Sequence, residues 1–343
     1  MTSKNINWIN AIKAICMILI YFVHGQTYYD LWLGNVNNYI HPIYVNAFFF
    51  VSGYLLFRKQ LSEPVITENR TSFLSKEGSG RKLVDNVFYR MCIPCLIFSI
   101  IEFIPKKIIK GGSISISSFL CETIGGGTYW FVSTLIVCEL IVFVLLISRK
   151  KNIWFYFTLL CLITAIGMSD LFDHSYPRGF DFYSYYRAFL ACCFLGAGGL
   201  YWKYEKYFDN AKYWIMIGGC IIYVYVFTIY ADDAIVLISL NSINLLGIFA
   251  SIVGCVVLVA ICKLLRPNRL LTFVGKNTLL FYIVSGAIPL TVNIFFKRLI
   301  PGTTIVGLAL YLITIFSLAT IITYLIQRYL YPLLDLRLLK KEK

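Results

Sequence analysis

The sequence predicts an all-α fold, a polytopic bundle of about ten transmembrane helices with the N- and C-termini in the cytoplasm. The chain is 59% hydrophobic and only 14% charged, whereas soluble globular domains carry roughly 25% charged residues. Apolar segments long enough to cross a bilayer recur along the whole chain. Basic residues concentrate in alternate connections between these segments. Together the three observations exclude a soluble globular domain and identify the lipid bilayer as a partner.

Ten apolar segments are the predicted spans. They cover residues 6–24, 44–57, 87–104, 130–147, 153–168, 185–201, 214–230, 245–265, 270–296 and 304–331. The longest polar stretch, residues 60–86, is predicted to be a cytoplasmic loop. We find no internal repeat and no low-complexity linker, so residues 1–343 are predicted to form one domain.

The placement of charge predicts the orientation. If the N-terminus is inside, most of the 31 Lys and Arg residues fall on the inner side, including Arg149, Lys150 and Lys151. The outer connections carry most of their charge as carboxylates, at Asp170, Asp173, Asp181, Asp232 and Asp233. This asymmetry is the positive-inside rule. It also accounts for most of the net charge of +14 without a nucleic-acid partner.

The first span carries two ionisable residues, Lys13 and His24. Their separation corresponds to about three helical turns, which places both on one face roughly 16 Å apart along the axis. Ionisable residues inside a span are costly and often mark a functional site. From spacing alone, a snorkelling lysine and a hydrogen-bonded interface histidine remain an equally good interpretation.

A longer sequence pattern has its first half in this first span and its second half in the next one. Residues 8–24 place His24 eleven residues after the basic Lys13, and residues 48–54 read FFFVSGY. Together they resemble acyltransferase family 3, the membrane O-acyltransferases, and are nearest its fucose-4-O-acetyltransferase-like branch. The elements RMCIP at residues 90–94, WFVSTL at residues 130–135 and GKNTLLFY at residues 275–282 resemble later family motifs in the same order.

Four positions depart from the family pattern. Asn10 stands where an aspartate is usual and Ala14 where a glycine is usual. Tyr44 and Ser285 each occupy a position where the family often has histidine.

The resemblance implies a cytoplasmic acyl-CoA donor, by default acetyl-CoA, and a saccharide hydroxyl as acceptor, on a surface polysaccharide or its lipid-linked precursor. The location implied is a bacterial cytoplasmic membrane. His24 would act as general base, since imidazole titrates near neutral pH. Direct attack on the thioester is the simpler route, and an acyl intermediate on His24 or Ser52 remains open.

The remaining site residues follow from this chemistry. Phosphates of the donor need a basic mouth, for which Lys13, Arg90 and Lys276 are candidates, with Trp130 also assigned to donor binding. Ser52 and Tyr54 are expected to line the reaction cavity and to donate hydrogen bonds to the oxyanion. We expect the costly mid-span Glu139 to have a partner, and either it or Glu102 to orient His24 or pair with a cation. No metal-ligand cluster is predicted.

Two other functions compete with acyl transfer at this stage. A polytopic transporter of a glycan or small solute would also carry intramembrane charges and glycines. The absence of an inverted repeat or of paired broken helices counts against it. A sensor or scaffold would need no His24.

Overall fold

The computed structural model describes residues 7–62, 70–112, 114–169, 185–229, 245–266, 268–299 and 304–330. The outer carboxylates that entered the charge argument and the C-terminal basic residues after position 330 lie outside these ranges. Within them the regular secondary structure is helical.

Fifteen α-helices are present in the described residues. In chain order they are α1 Asn7–Tyr29, α2 Gly34–Tyr44, α3 Asn46–Gln60, α4 Arg70–Leu74, α5 Ser79–Val87, α6 Ile93–Lys110, α7 Ile116–Phe119, α8 Trp130–Leu146, α9 Ile153–Gly167, α10 Tyr185–Asn210, α11 Lys212–Ile229, α12 Leu245–Leu264, α13 Arg269–Lys276, α14 Thr278–Leu299 and α15 Ile305–Tyr329. Short π-helical segments, Phe88–Cys92 and Leu120–Ile124, precede α6 and follow α7.

The helices confirm an all-α polytopic bundle. Seven helical segments among the described residues are long and apolar enough to cross a membrane, and α8 and α9 are shorter apolar helices. Helix α10 has 26 residues, and charged residues fill its last two turns. Each of the ten predicted spans overlaps at least one of these helices.

Two predictions about local structure are wrong. The ninth span, residues 270–296, is not one helix, because the chain breaks at Asn277 between α13 and α14. The polar stretch 60–86 is not simply a loop, because it contains α4 and α5. Phe73 of α4 is fully buried and stacks on Phe143 of α8 at 5.9 Å between ring centroids. This contact anchors the segment on the bundle.

Helix α1 lies at the centre of the bundle. It contacts α2, α3, α12, α13, α14 and α15. Its small residues Ala11 and Ala14 are fully buried, which lets neighbouring helices approach closely. A Cβ placed on Gly275 of α13 would lie 2.1 Å from the backbone oxygen of Asn10. Polar side chains of α1 therefore face protein or an internal cavity on most sides.

Helices α3 and α10 cross with their backbones in contact. A Cβ placed on Gly198 would lie 1.9 Å from the backbone oxygen of Phe50, and one placed on Gly53 would lie 2.0 Å from that of Leu195. These two glycines therefore allow the close packing of α3 on α10. Because each glycine meets backbone, neither clash can be relieved by a rotamer change.

We therefore expect Gly198→Ala to destabilise the protein by roughly 1–3 kcal/mol, the range for overpacking a close-packed interior. Gly218 of α11 is a matched control, because a Cβ there meets nothing within 4 Å. Gly218→Ala should change stability by about 1 kcal/mol or less, in the stabilising direction. Thermal unfolding of the two variants in detergent measures the difference. Equal melting temperatures would contradict the close crossing.

Candidate active site

A cavity of about 400 Å³ opens beside His24, toward the end of the bundle that the charge pattern places outside. We call it the outer cavity. It is lined by Ile20, His24, Tyr28, Tyr44, Val45, Glu102, Lys106, Gly127, Thr128, Tyr129, Trp130, Phe131, Tyr282, Ile283, Ser285 and Gly286. Most of these residues come from α1, α2, α6 and α14. The others include the segment that leads into α8 and the first residues of α8 itself.

His24 is half-buried on the wall of the outer cavity, and its ring is fixed by a backbone contact. Its Nδ1 lies 2.9 Å from the carbonyl oxygen of Ser285. A carbonyl oxygen only accepts, so Nδ1 carries the hydrogen and donates it. In the neutral ring Nε2 then holds the lone pair. The arrangement can serve general-base chemistry at Nε2.

Tyr282 and Phe131 join α14 to the start of α8 on the wall of the outer cavity. The Phe131 amide N–H donates to the Tyr282 hydroxyl at 3.3 Å, and the two rings meet edge to face at 5.3 Å. Ser285 Oγ donates to the Tyr282 carbonyl oxygen at 2.7 Å. These bonds hold the start of α8 against the α14 turn whose carbonyl group orients His24.

A second cavity of about 400 Å³ lies toward the opposite end of the bundle. We call it the inner cavity. It is lined by Lys13, Ser52, Leu55, Leu56, Lys59, Gln60, Leu83, Asn86, Arg90, Met91, Leu135 and Glu139. Three cations and one carboxylate thus share one chamber, in which Glu139 and Lys13 interact electrostatically. The positive charge of Lys13 therefore acts on the buried Glu139 across this chamber.

The two cavities approach each other within about one helical turn. On α8, Phe131 lines the outer cavity and Leu135 the inner one, a rise of about 6 Å. Phe48 and Phe49 of α3 pack on Phe131 with ring centroids 5.2 and 5.3 Å apart. Ser52, one turn further along α3, belongs to the inner cavity. An aromatic cluster of Phe48, Phe49, Phe131 and Tyr282 therefore lies between the cavities.

The predicted site residues divide between these chambers. Lys13, Arg90, Ser52 and Glu139 line the inner cavity. His24 and Trp130 line the outer cavity, so Trp130 is beside the histidine and away from the basic residues with which it was grouped. Of the two carboxylates considered as partners of His24, Glu102 shares its cavity and Glu139 does not.

Tyr54 and Lys276 line neither cavity. The buried Tyr54 hydroxyl donates to Glu205 Oε2 at 2.8 Å and accepts from Arg58 Nη1 at 3.0 Å. Lys263 Nζ bonds the same glutamate through Oε1 at 2.7 Å. Tyr54 thus belongs to an ionic network between α3, α10 and α12. Lys276 is exposed at the end of α13.

Sequence reasoning missed the glycine-rich segment before α8 as part of the site. Gly127, Thr128 and Tyr129 line the outer cavity, and the side-chain oxygens of Thr128 and Tyr129 are buried without a hydrogen-bond partner of good geometry. Burial and the neighbouring Glu102 carboxylate raise the pKa of Tyr129. In the sequence, the only sign of this role is the run of three glycines that is separated from the WF element by two residues.

Two departures from the family pattern fall in the outer cavity. Tyr44 and Ser285 both line it, and Ser285 provides the carbonyl oxygen that orients His24. Asn10, by contrast, packs by its backbone against Gly275. Within the part of the chain that the structure describes, no group of three His, Cys, Asp or Glu residues is placed to hold a metal.

The sequence matches acyltransferase family 3 over residues 6–328, a region described as an acyltransferase domain. The chain therefore belongs to this family and is a multi-pass membrane acyltransferase that transfers groups other than aminoacyl groups. Membership decides between the enzyme and the transporter or scaffold interpretations. No curated protein and no solved structure matches the sequence. The fucose-4-O-acetyltransferase-like branch stays a prediction.

The two cavities should open to opposite sides of the membrane. Gly286 lines the outer cavity with free space beside its Cα, and Lys59 lines the inner one and is exposed. On intact cells, a membrane-impermeant maleimide should label Gly286→Cys but reach Lys59→Cys only after permeabilisation. The parent chain, with its 11 native cysteines, gives the background. Labelling of both variants on intact cells would refute the orientation.

Proposed function

We propose that this enzyme transfers an acetyl group from acetyl-CoA in the cytoplasm to a hydroxyl group of a saccharide on the outer side of the bacterial cytoplasmic membrane. The acceptor is a surface polysaccharide or its lipid-linked precursor. The observation that carries the proposal is the division of the site. Cations surround the cavity at the inner end of α1, and an oriented imidazole lies in the cavity at its outer end.

The inner cavity suits the donor. Lys13, Lys59 and Arg90 supply positive charge for the phosphates of acetyl-CoA, and Arg90 is exposed where the nucleotide would approach. The separation of roughly 16 Å between Lys13 and His24 along α1 is bridged by the long arm of the donor. The thioester then reaches the aromatic cluster between the cavities.

The outer cavity suits the acceptor. His24 Nε2 takes the proton of the sugar hydroxyl as the hydroxyl oxygen attacks the thioester carbonyl carbon. The tetrahedral intermediate collapses with cleavage of the C–S bond, and the departing thiolate receives the proton from His24. Hydroxyl groups near the cavity wall, such as that of Tyr282, are the candidate donors to the oxyanion.

Direct transfer fits the placement of Ser52 better than an acyl-serine intermediate does. Ser52 lines the inner cavity, whereas His24 lines the outer one. A serine nucleophile needs a base within hydrogen-bond reach. Glu102 lines the same cavity as His24, and its carboxyl group can form hydrogen bonds with the hydroxyl groups of the acceptor.

His24→Gln should reduce acetyl transfer by roughly 10²–10⁴-fold, the range for loss of a general base. The assay is ester formation by the purified enzyme with acetyl-CoA and the glycan from its own cells, read by mass spectrometry. Thr27→Ala is the control, since Thr27 lies one turn further along α1, is exposed and donates its hydroxyl hydrogen to the Val23 carbonyl oxygen of its own helix. Normal glycan acetylation in cells carrying only His24→Gln would refute the proposal.

Arg90→Ala should raise KM for acetyl-CoA roughly tenfold with little change in kcat, because it removes a charged hydrogen-bond donor from the inner cavity. Lys206→Ala is the matched control, since Lys206 is exposed on α10 and lines neither cavity. Initial rates at varied donor concentration give both constants. An unchanged KM in Arg90→Ala would place the donor phosphates elsewhere.

A further inference from the structure

A buried amide lies on the wall of the inner cavity. Gln60, the last residue of α3, is fully buried, and neither its Oε1 nor its Nε2 has a hydrogen-bond partner among the residues that the structure describes. Gln60 is nevertheless among the residues that line the inner cavity. A buried amide with both polar atoms unpaired destabilises the folded protein by more than an ordinary hydrogen bond stabilises it. Such a group therefore needs an explanation.

A second buried glutamine, Gln26 of α1, provides a comparison. It is equally buried, yet both ends of its amide are bonded: Nε2 donates to Asn37 Oδ1 at 3.1 Å, and Oε1 accepts from Asn37 Nδ2 at 2.9 Å and from the Leu33 amide at 2.7 Å. The bonds of Gln26 join residues of the fold to one another. Gln60 shows the opposite pattern beside a cavity large enough for a ligand.

The chemistry of the unmet groups specifies the ligand group. Nε2 needs an acceptor and Oε1 needs a donor, and a secondary amide presents one of each side by side. Anionic groups would instead be bound by the neighbouring Lys59 and Arg90. Gln60 lies two turns from Ser52 along α3, about 12 Å nearer the inner end. An amide between a phosphate-bearing end and a reactive end of one linear ligand matches this position.

We propose that Gln60 is a specificity-determining residue that pairs with one of the two amide groups in the pantetheine arm of the acyl donor. The inference rests on the proposed function. Because both polar atoms of Gln60 are covered, its side chain turns about its χ torsions to present them to the arm. The pairing places the thioester a fixed length of arm away, back toward the N-terminal end of α3, at the aromatic cluster.

The test combines a variant with altered donors. Gln60→Met keeps the size of the side chain and removes both hydrogen-bonding groups. Two acetyl-CoA analogues each replace one arm amide N–H by an ester oxygen. With acetyl-CoA, Gln60→Met should lower kcat/KM roughly tenfold through KM. One analogue should lower kcat/KM of the wild type similarly and cause no further loss in Gln60→Met.

Stability separates recognition from a structural role. Gln60→Met should keep the melting temperature of the wild type, because it removes no bond within the protein, whereas Gln26→Met should lower it. Unfolding or marked destabilisation of Gln60→Met would overturn the proposal. The proposal would also be overturned if Gln60→Met lowered kcat/KM by the same factor with acetyl-CoA and with both analogues. Wild-type kinetics of Gln60→Met with acetyl-CoA would overturn it as well. Absence of transfer by the wild-type enzyme would instead overturn the proposed function itself, and the assignment of Gln60 with it.

Discussion

The enclosure of α1 by other helices is the constraint on which the site depends. Six helices pack around it, so a lysine and a histidine on one face cannot both be presented to lipid or bulk water. Each must face a polar chamber inside the protein. The Ser285 carbonyl oxygen meets this need at the outer end of the helix and Glu139 at the inner end. Both cavities are thus lined in part by α1, a helix that the bundle encloses on most sides.

Periodicity and charge were sufficient to predict an all-α bundle and the order of its apolar spans, because both are local properties of the chain. The break at Asn277 was missed, since residues 270–296 remain apolar on both sides of it. Just before the break, Gly275 packs against the Asn10 backbone, a tertiary contact that the local sequence does not reveal.

Only some of the residues that line the two cavities could be predicted from the sequence. Lys13 and Arg90, which were predicted together as donor-binding residues, do line the same cavity. The partners of buried groups are long-range contacts between helices and leave no local signal. Tyr54 meets a glutamate 151 positions away, and Glu102 reaches the chamber of His24 from another helix. Gln60 was overlooked for the same reason, since only the packed structure shows that its amide has no partner.

One wall is common to both chambers. The helical stretch through α5, the π-helical segment 88–92 and α6 carries Asn86 and Arg90 at the inner cavity and Glu102 and Lys106 at the outer one. A continuous rod cannot tilt at one end without moving at the other, and π-segments are common where helices serve function. A movement of this stretch at the inner cavity would therefore also move Glu102 and Lys106 at the outer one. By thermodynamic linkage, two ligands coupled in this way would change each other's affinity by the same factor. One helical stretch thus connects the two ends of the bundle mechanically.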